Sequence, residues 1–154
     1  MKIFDRVMDA AILLVACVLL FKMLHPLGAA DLVGKPWSGP KLAHAKESTL
    51  LLVVSPSCHI CSESMPFYQR LAKDSAARML FAVPEAAAGK AYVAQNNLAQ
   101  VNVGELTPAA AAGIRGTPTL LLLDASGIIR RQWVGKISSS AEAEVTRALS
   151  NRVN

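Results

Sequence analysis

Hydrophobic positions along the chain fall into blocks whose spacing alternates between that of strands and that of helices. Leu50 to Val54 is an uninterrupted apolar run, which is typical of a strand covered on both faces. From His59 to Asp74 the apolar positions recur at helical spacing instead. One face of this predicted helix carries Met65, Tyr68, Leu71 and Ala72. Pro66 is expected to kink the helix, because proline lacks the backbone N–H of the helical ladder.

The remaining blocks continue the alternation. Strands are predicted over Arg78–Val83, Gln100–Val103, Thr119–Asp124 and Ile128–Val134. Helices are predicted over Ala86–Asn97 and Ser138–Asn151, together with a brief one capped by Thr107 and begun by Pro108. The resulting order, β-α-β-α-β-α-β-β-α, predicts an α/β domain. Its first strands should be parallel, and its last two should form an antiparallel hairpin through Ala125-Ser126-Gly127.

The N-terminus carries an apolar segment of a different kind. Ala10–Phe21 is unbroken, and extending it to Val7–Leu24 gives 18 residues, or about 27 Å of helix, which barely spans a bilayer. A retained anchor and a signal peptide cleaved near Gly28-Ala29-Ala30 both fit this pattern. A lipoprotein signal ending at Cys17 and a buried core helix are further alternatives. The first three alternatives place the rest of the chain outside the cytoplasm.

These patterns divide the chain into three parts. Residues 1–30 form a membrane anchor or signal segment, and residues 31–48 form a linker and lead-in punctuated by glycine and proline. Residues 49–154 form the folded domain.

Charge and cysteine content narrow the function classes. The formal net charge is +5, but the basic residues stand singly or as the pair Arg130-Arg131, with no stripe of the kind that binds nucleic acid. The three cysteines are Cys17, Cys58 and Cys61. One pair within the domain is too few for a disulfide scaffold, so that pair is a candidate for chemistry.

Cys58-His59-Ile60-Cys61 lies where the first strand gives way to the first helix. Sulfurs three residues apart at a helix start can bridge, and the positive helix end stabilises a thiolate at Cys58. A redox site, a metal site and incidental cysteines all remain open. His59 adds a possible copper or zinc ligand, and an extracytoplasmic copper-binding protein is one alternative function. A thiol peroxidase is another, because Ser55 places a hydroxyl three residues before Cys58.

A second motif further along the chain favours redox chemistry. The stretch from Gly113 to Leu121, GIRGTPTLL, followed by Asp124, Gly127 and Val134-Gly135, resembles the C-terminal half of a thioredoxin. Together with Cys58 and Cys61, the resemblance covers roughly residues 36–150. It implies a thioredoxin fold, a central mixed sheet flanked by helices. It also implies a cis peptide bond before Pro118, beside the cysteines, and a Thr117 backbone that pairs with an extended substrate.

Other features resemble the membrane-tethered TlpA/ResA-like thioredoxins. These are Gly34-Lys35-Pro36, Met65-Pro66, and an extra strand and helix between Arg78 and Val103. Three positions depart from the pattern. Ser57 replaces the usual tryptophan, Leu52 replaces a buried acid of thioredoxin, and Ser64 replaces the acid of the TlpA/ResA group, with Glu63 one position earlier.

The resemblance implies a thiol–disulfide oxidoreductase that acts on protein disulfides without a cofactor or metal. Cys58 should attack the substrate and Cys61, one turn deeper, should resolve the mixed disulfide. Reduction is the favoured direction, with electrons delivered by a membrane reductase. His59 is either a stabiliser of the Cys58 thiolate or a solvent-facing residue. Glu63 is either a proton shuttle to Cys61 or a surface residue.

Overall fold

A computed structural model describes residues 31–42 and 47–150, and five strands and five α-helices lie within them. The strands are β1 (Thr49–Val53), β2 (Met79–Val83), β3 (Asn102–Glu105), β4 (Thr119–Leu123) and β5 (Ile129–Val134). The helices are α1 (His59–Glu63), α2 (Met65–Ser75), α3 (Ala86–Gln95), α4 (Pro108–Ala112) and α5 (Ser139–Ser150), with a 3-10 turn over Ala76–Arg78. The predicted order of elements is confirmed, except that the first helix is divided in two.

The predicted membrane or signal segment, residues 1–30, lies outside the described residues. Among the helices that are described, none combines the length and the apolar character needed to cross a bilayer.

The strands form one mixed sheet in the order β3-β2-β1-β4-β5. β1 and β2 are parallel, as are β2 and β3, whereas β4 runs antiparallel to both β1 and β5. The predicted parallel first part and antiparallel hairpin are thus both confirmed. Because β1 is the central strand, its carboxyl end lies near the middle of one end of the sheet, and the loop to α1 begins there.

Both faces of the central strands are buried. Leu50 and Leu52 point to a core cluster that includes buried residues of α2, α3 and α5, whereas Leu51 and Val53 point to a second cluster with Trp37 and α4. Burying each leucine stabilises the fold by about 1.5–3 kcal/mol relative to leaving it in water. This two-sided burial explains why β1 reads as a continuous apolar run.

The kink predicted at Pro66 is a complete break. α1 ends at Glu63 and α2 begins at Met65, while the backbone N–H and the hydroxyl of Ser64 both donate to the carbonyl oxygen of Ile60, at 3.1 and 2.8 Å. Pro66 then occupies the first turn of α2. N–H groups of a first turn have no intrahelical acceptor, so the missing donor costs little there.

β3 starts two residues later than predicted. Val101 is buried in the core and donates its N–H to Leu98 O at 2.9 Å, as part of the turn that precedes the strand. Pairing of Leu80 with Asn102 and of Val83 with Glu105 sets the register. The apolar residue that suggested a strand start is therefore a core contact of the preceding turn.

Part of the predicted linker is ordered against β5. The N–H of Gly34 donates to Ile129 O at 2.8 Å, the N–H of Ile129 donates to Lys35 O at 3.0 Å, and the N–H of Trp37 donates to Gly127 O at 2.9 Å. The Trp37 ring is buried, and its Nε1 donates to Pro40 O at 2.9 Å. The chain thus lines the outer edge of β5 before it enters β1.

Candidate active site

The loop after β1 delivers Cys58 to the start of α1. The Cys58 N–H donates to Ser55 O at 3.0 Å, which closes a tight turn through Pro56 and Ser57. Cys58 is the N-cap of α1, and its sulfur accepts a hydrogen bond from the Cys61 N–H at 3.3 Å. The sulfur takes the position that a serine or aspartate oxygen usually holds at a helix start.

The two cysteines differ in exposure. Both are free thiols, with Cys58 partly exposed and Cys61 completely buried in the core cluster beneath α1 and α2. This is the arrangement expected from helix geometry. A substrate can reach Cys58, whereas Cys61 can react only with a group already attached at Cys58.

Thr117 and Pro118 complete the arrangement. The Cys58 thiol donates to the carbonyl oxygen of Thr117 at 3.3 Å, and the Thr117–Pro118 peptide bond is cis. Pro118 is buried, and its carbonyl oxygen accepts from the Gly135 N–H at 2.8 Å. The fold thereby brings two motifs that are distant in sequence into direct contact.

The surroundings of the two sulfurs shift their pKa values in opposite directions. Burial opposes ionisation of Cys58, but hydrogen bonds from the side chains of Cys61 and Thr117 and from the backbone of Cys61 and Ile60 outweigh it and lower the pKa. For Cys61, burial first and the Cys58 side chain second raise the pKa to about 11. The negative charge of the reduced pair therefore forms at Cys58.

His59 and Glu63 lie beside the cysteines but pair with each other. The His59 Nε2 atom is 2.9 Å from Glu63 Oε1, and the imidazole is 85% exposed. Lys136 Nζ lies 2.7 Å from Glu63 Oε2, and this contact, followed by that with His59, holds the pKa of Glu63 below its usual range. Glu63 is exposed and ion-paired, which favours the interpretation as a surface residue over that as a proton shuttle to Cys61. Lys136 was missed, although it directly follows the Val134-Gly135 motif.

Two tyrosines belong to the core near Cys61, and the sequence pattern predicted the buried position of Tyr68. Tyr68 of α2 and Tyr92 of α3 belong to the same buried cluster as Cys61. Burial raises the pKa of each, and each interacts electrostatically with the Cys61 and Cys58 thiols. Periodicity locates such a side chain in the core, but it does not tell what its hydroxyl touches.

The alternative functions can be compared with the same geometry. In residues 31–42 and 47–150, no three His, Cys, Asp or Glu side chains are grouped so that they could hold a metal ion. The Ser55 hydroxyl, which suggested a peroxidase, pairs with the Ser57 hydroxyl at 3.0 Å.

Solved structures share the fold. A thiol:disulfide interchange protein of the thioredoxin family from Chlorobium tepidum TLS has 19% identity and a TM-score of 0.58, over 79% of this chain and 96% of that one. A thiol-disulfide isomerase from Corynebacterium glutamicum has 15% identity and a TM-score of 0.58, over 78% and 96%. StoA from Bacillus subtilis has 14% identity and a TM-score of 0.51, over 77% and 98%.

The sequence matches no protein-family model and no curated protein. The likeness therefore rests on structure, and it shows that the chain has a thioredoxin-like fold. The predicted fold class is confirmed for the described residues.

Proposed function

We propose that the chain, which has the thioredoxin fold, is a TlpA/ResA-like thiol–disulfide oxidoreductase that works through Cys58 and Cys61. The proposal rests on the difference in exposure and in pKa between the two sulfurs. Cys58 is partly exposed with a lowered pKa, whereas Cys61 is buried with a pKa raised to about 11. Thiol–disulfide exchange needs one attacking thiolate and one resolving thiol that stays protonated until it is used. The names of the structural neighbours, which describe disulfide interchange and isomerisation, also support it.

The reaction then proceeds in two exchanges. The Cys58 thiolate attacks one sulfur of a substrate disulfide, that S–S bond breaks, and the first substrate thiolate leaves and takes a proton from water. Cys61 loses its proton and attacks the Cys58 sulfur of the mixed disulfide, releasing the second substrate thiolate. Two electrons pass to the substrate, and a Cys58–Cys61 disulfide remains.

Thr117 and Pro118 would shape the substrate site. The Thr117 carbonyl oxygen lies 3.3 Å from the attacking sulfur, so an extended substrate paired with this backbone would present its disulfide to Cys58. Pro118 has no N–H and leaves that position of the backbone without a donor. A protein disulfide in an extended segment is therefore the proposed substrate.

We also propose the reductive direction and a location outside the cytoplasm. The imidazole of His59 is paired with Glu63, which limits how far it can stabilise a Cys58 thiolate. A strongly stabilised thiolate is what makes such a cysteine pair an oxidant. A reductase needs a supply of electrons, for which a membrane reductase is the proposed partner. Residues 1–30 would anchor or export the domain, as their apolar run indicates.

Disulfide reduction by single-cysteine variants tests the proposal. With insulin as substrate, Cys58→Ser should abolish turnover, and Cys61→Ser should accumulate a mixed disulfide visible by mass spectrometry. Cys17→Ser is the matched control and should keep full activity. Normal turnover by Cys58→Ser would overturn the mechanism, and stoichiometric copper(I) binding without any turnover would favour the copper-binding alternative.

A redox titration against glutathione tests the direction. A reductase should have a potential close to about −270 mV, and a value close to about −120 mV would instead make the pair an oxidant.

A further inference from the structure

The second exchange needs a thiolate at Cys61, which is buried where a charge is costly. The two positions at which thioredoxins and the TlpA/ResA group carry an acid hold Leu52 and Ser64. The Ser64 hydroxyl donates to Ile60 O at 2.8 Å, and the Glu63 carboxylate is taken by Lys136 and His59. These two positions therefore offer no acid, and a different polar group near Cys61 is the candidate for stabilising the charge.

Tyr92 supplies a polar group without an evident structural use. Its side chain is 8% exposed and lies in the core cluster that contains Cys61. The hydroxyl oxygen is fully enclosed and has no hydrogen-bond partner among the described residues. Its electrostatic neighbours are the Ser62 side chain, Cys61 and Cys58, and none of them lies in hydrogen-bonding geometry with the Tyr92 hydroxyl. A buried hydroxyl with no partner is costly, and such groups in native proteins often serve function.

Tyr68 offers a direct comparison within the same cluster. It is also buried and interacts electrostatically with the cysteines, and its ring packs edge-on against Phe81. Among the described residues, the enclosed side-chain atoms without a hydrogen-bond partner include the Tyr92 hydroxyl but not the Tyr68 hydroxyl.

We propose that the Tyr92 hydroxyl donates a hydrogen bond to the Cys61 sulfur when that sulfur becomes a thiolate, and so acts as a positioning residue for the second exchange. This inference rests on the proposed function. A thiol is a weak acceptor, which explains why the phenol has no partner in the reduced protein. A thiolate is a much stronger acceptor, so the bond gains its strength only as the proton leaves.

The step balances without moving a proton onto the tyrosine. Cys61 gives up its proton, its sulfur bonds to the Cys58 sulfur, and the bond from Cys58 to the substrate sulfur breaks. The departing substrate thiolate takes up a proton in place of the one that Cys61 released. Tyr92 keeps its own proton throughout, since burial disfavours a phenolate.

The substitution Tyr92→Phe removes one oxygen atom and keeps the ring. The reduced protein would be mixed rapidly with glutathione disulfide, quenched with acid, and analysed by mass spectrometry for the mixed disulfide and the Cys58–Cys61 disulfide. Resolution of the mixed disulfide should slow about tenfold, as expected for loss of a hydrogen bond to a charged group. The pH profile of this resolution step should move upward. The initial attack by Cys58 should stay within about twofold of wild type, because that step does not need a thiolate at Cys61.

Tyr68→Phe is the matched control and should resolve the mixed disulfide at the wild-type rate. Equal slowing in both variants, or an unchanged rate in Tyr92→Phe, would overturn the proposal. Thermal unfolding of the reduced proteins adds a second readout. Tyr92→Phe should be at least as stable as wild type, and a clear loss of stability would mean that the hydroxyl already has a partner, which also overturns the proposal.

The outcomes separate this inference from the function on which it rests. A wild-type protein that forms no mixed disulfide, or never resolves one, contradicts the proposed function. A wild-type protein that resolves it at the same rate as Tyr92→Phe contradicts only the role of the tyrosine.

Discussion

The sulfur of Cys58 lies 3.3 Å from the carbonyl oxygen of Thr117, although the two residues are 59 positions apart in the chain. The side chain of Thr117 also interacts with Cys58 and lowers its pKa. The strand-to-helix loop and the segment before β4 therefore jointly set the reactivity of one thiol.

Replacing the Thr117 hydroxyl should make Cys58 less reactive. Thr117→Val keeps the shape of the side chain but removes the hydroxyl that lowers the pKa of Cys58, so this pKa should rise. Alkylation of Cys58 by iodoacetamide at neutral pH should slow by a factor of about two to ten. Thr146→Val, which removes an exposed hydroxyl bonded to Glu142 O on α5, is the control and should change nothing. Unchanged alkylation in Thr117→Val would contradict the role assigned to its hydroxyl.

Alkaline conditions should destabilise the reduced protein through Cys61. The pKa of Cys61 is raised from 9.0 to about 11 by burial, so the folded state retains a proton that the unfolded state loses. This contribution is complete below pH 9 and is lost as the pH rises towards 11, in total about 2–3 kcal/mol. Urea unfolding of the reduced protein across this range measures the loss.

The variant Cys61→Ala isolates that contribution. The stability of Cys61→Ala should fall less steeply between pH 9 and 11 than that of wild type, because both proteins share every other titrating group. Parallel curves for the two proteins would show that Cys61 is not the group responsible.

Acid should weaken the hairpin between β4 and β5 through Asp124. Burial disfavours the charge on Asp124, but hydrogen bonds from the Ser126 hydroxyl, the Ile128 N–H and the Arg130 guanidinium outweigh it and hold the pKa at about 2. The Asp124 carboxylate therefore adds about 2 kcal/mol of stability above pH 3.8, and this stability is lost as the pH falls towards 2. Asp124→Asn should lower the stability at pH 7 by about 1–2 kcal/mol.

The exposed Asp74 of α2 offers a control for this substitution. Asp74→Asn should change the free energy of unfolding by less than about 0.5 kcal/mol. Equal effects of the two substitutions in urea titrations at pH 7 would remove the special role of Asp124.

Glu63 should limit the influence of His59 on Cys58. Because the imidazole pairs with Glu63 at 2.9 Å, His59→Ala should change the alkylation rate of Cys58 by no more than about twofold. Glu63→Gln removes a negative charge near Cys58 and leaves the His59 imidazole without its acidic partner, so this rate should rise. The double variant, with both His59→Ala and Glu63→Gln, should lose the part of this rate increase that depends on the imidazole. A double-mutant cycle of alkylation rates measures that part. A gain of equal size with and without His59 would count against the coupling.

Apolar periodicity was sufficient to predict the order of elements, because the central strands and the core-facing helix positions have strong and distinct patterns. The two cysteines and Pro118 could be selected because their motifs are local in sequence. The break at Ser64 was only partly predictable. Pro66 indicated a disturbed helix, but the hydroxyl of Ser64, which bonds back to Ile60, is what satisfies the end of α1.

Contacts between distant parts of the chain could not be predicted in this way. Lys136 reaches Glu63 across 73 positions, and a sequence pattern offers no measure of that approach. This contact also accounts for the ion-paired state of the Glu63 carboxylate. Whether the buried Tyr92 hydroxyl has a partner depends on side chains that are distant in the sequence, which periodicity does not report.

The pairing of residues 34–37 with β5 has a consequence for self-association. A sheet edge with free N–H and C=O groups can recruit a strand from another molecule. Here Gly34 and Lys35 occupy such groups on Ile129, while β3 at the opposite end of the sheet is only four residues long. The lead-in therefore covers the beginning of the β5 edge, and a chain without residues 34–37 would expose these backbone groups to pairing with another molecule.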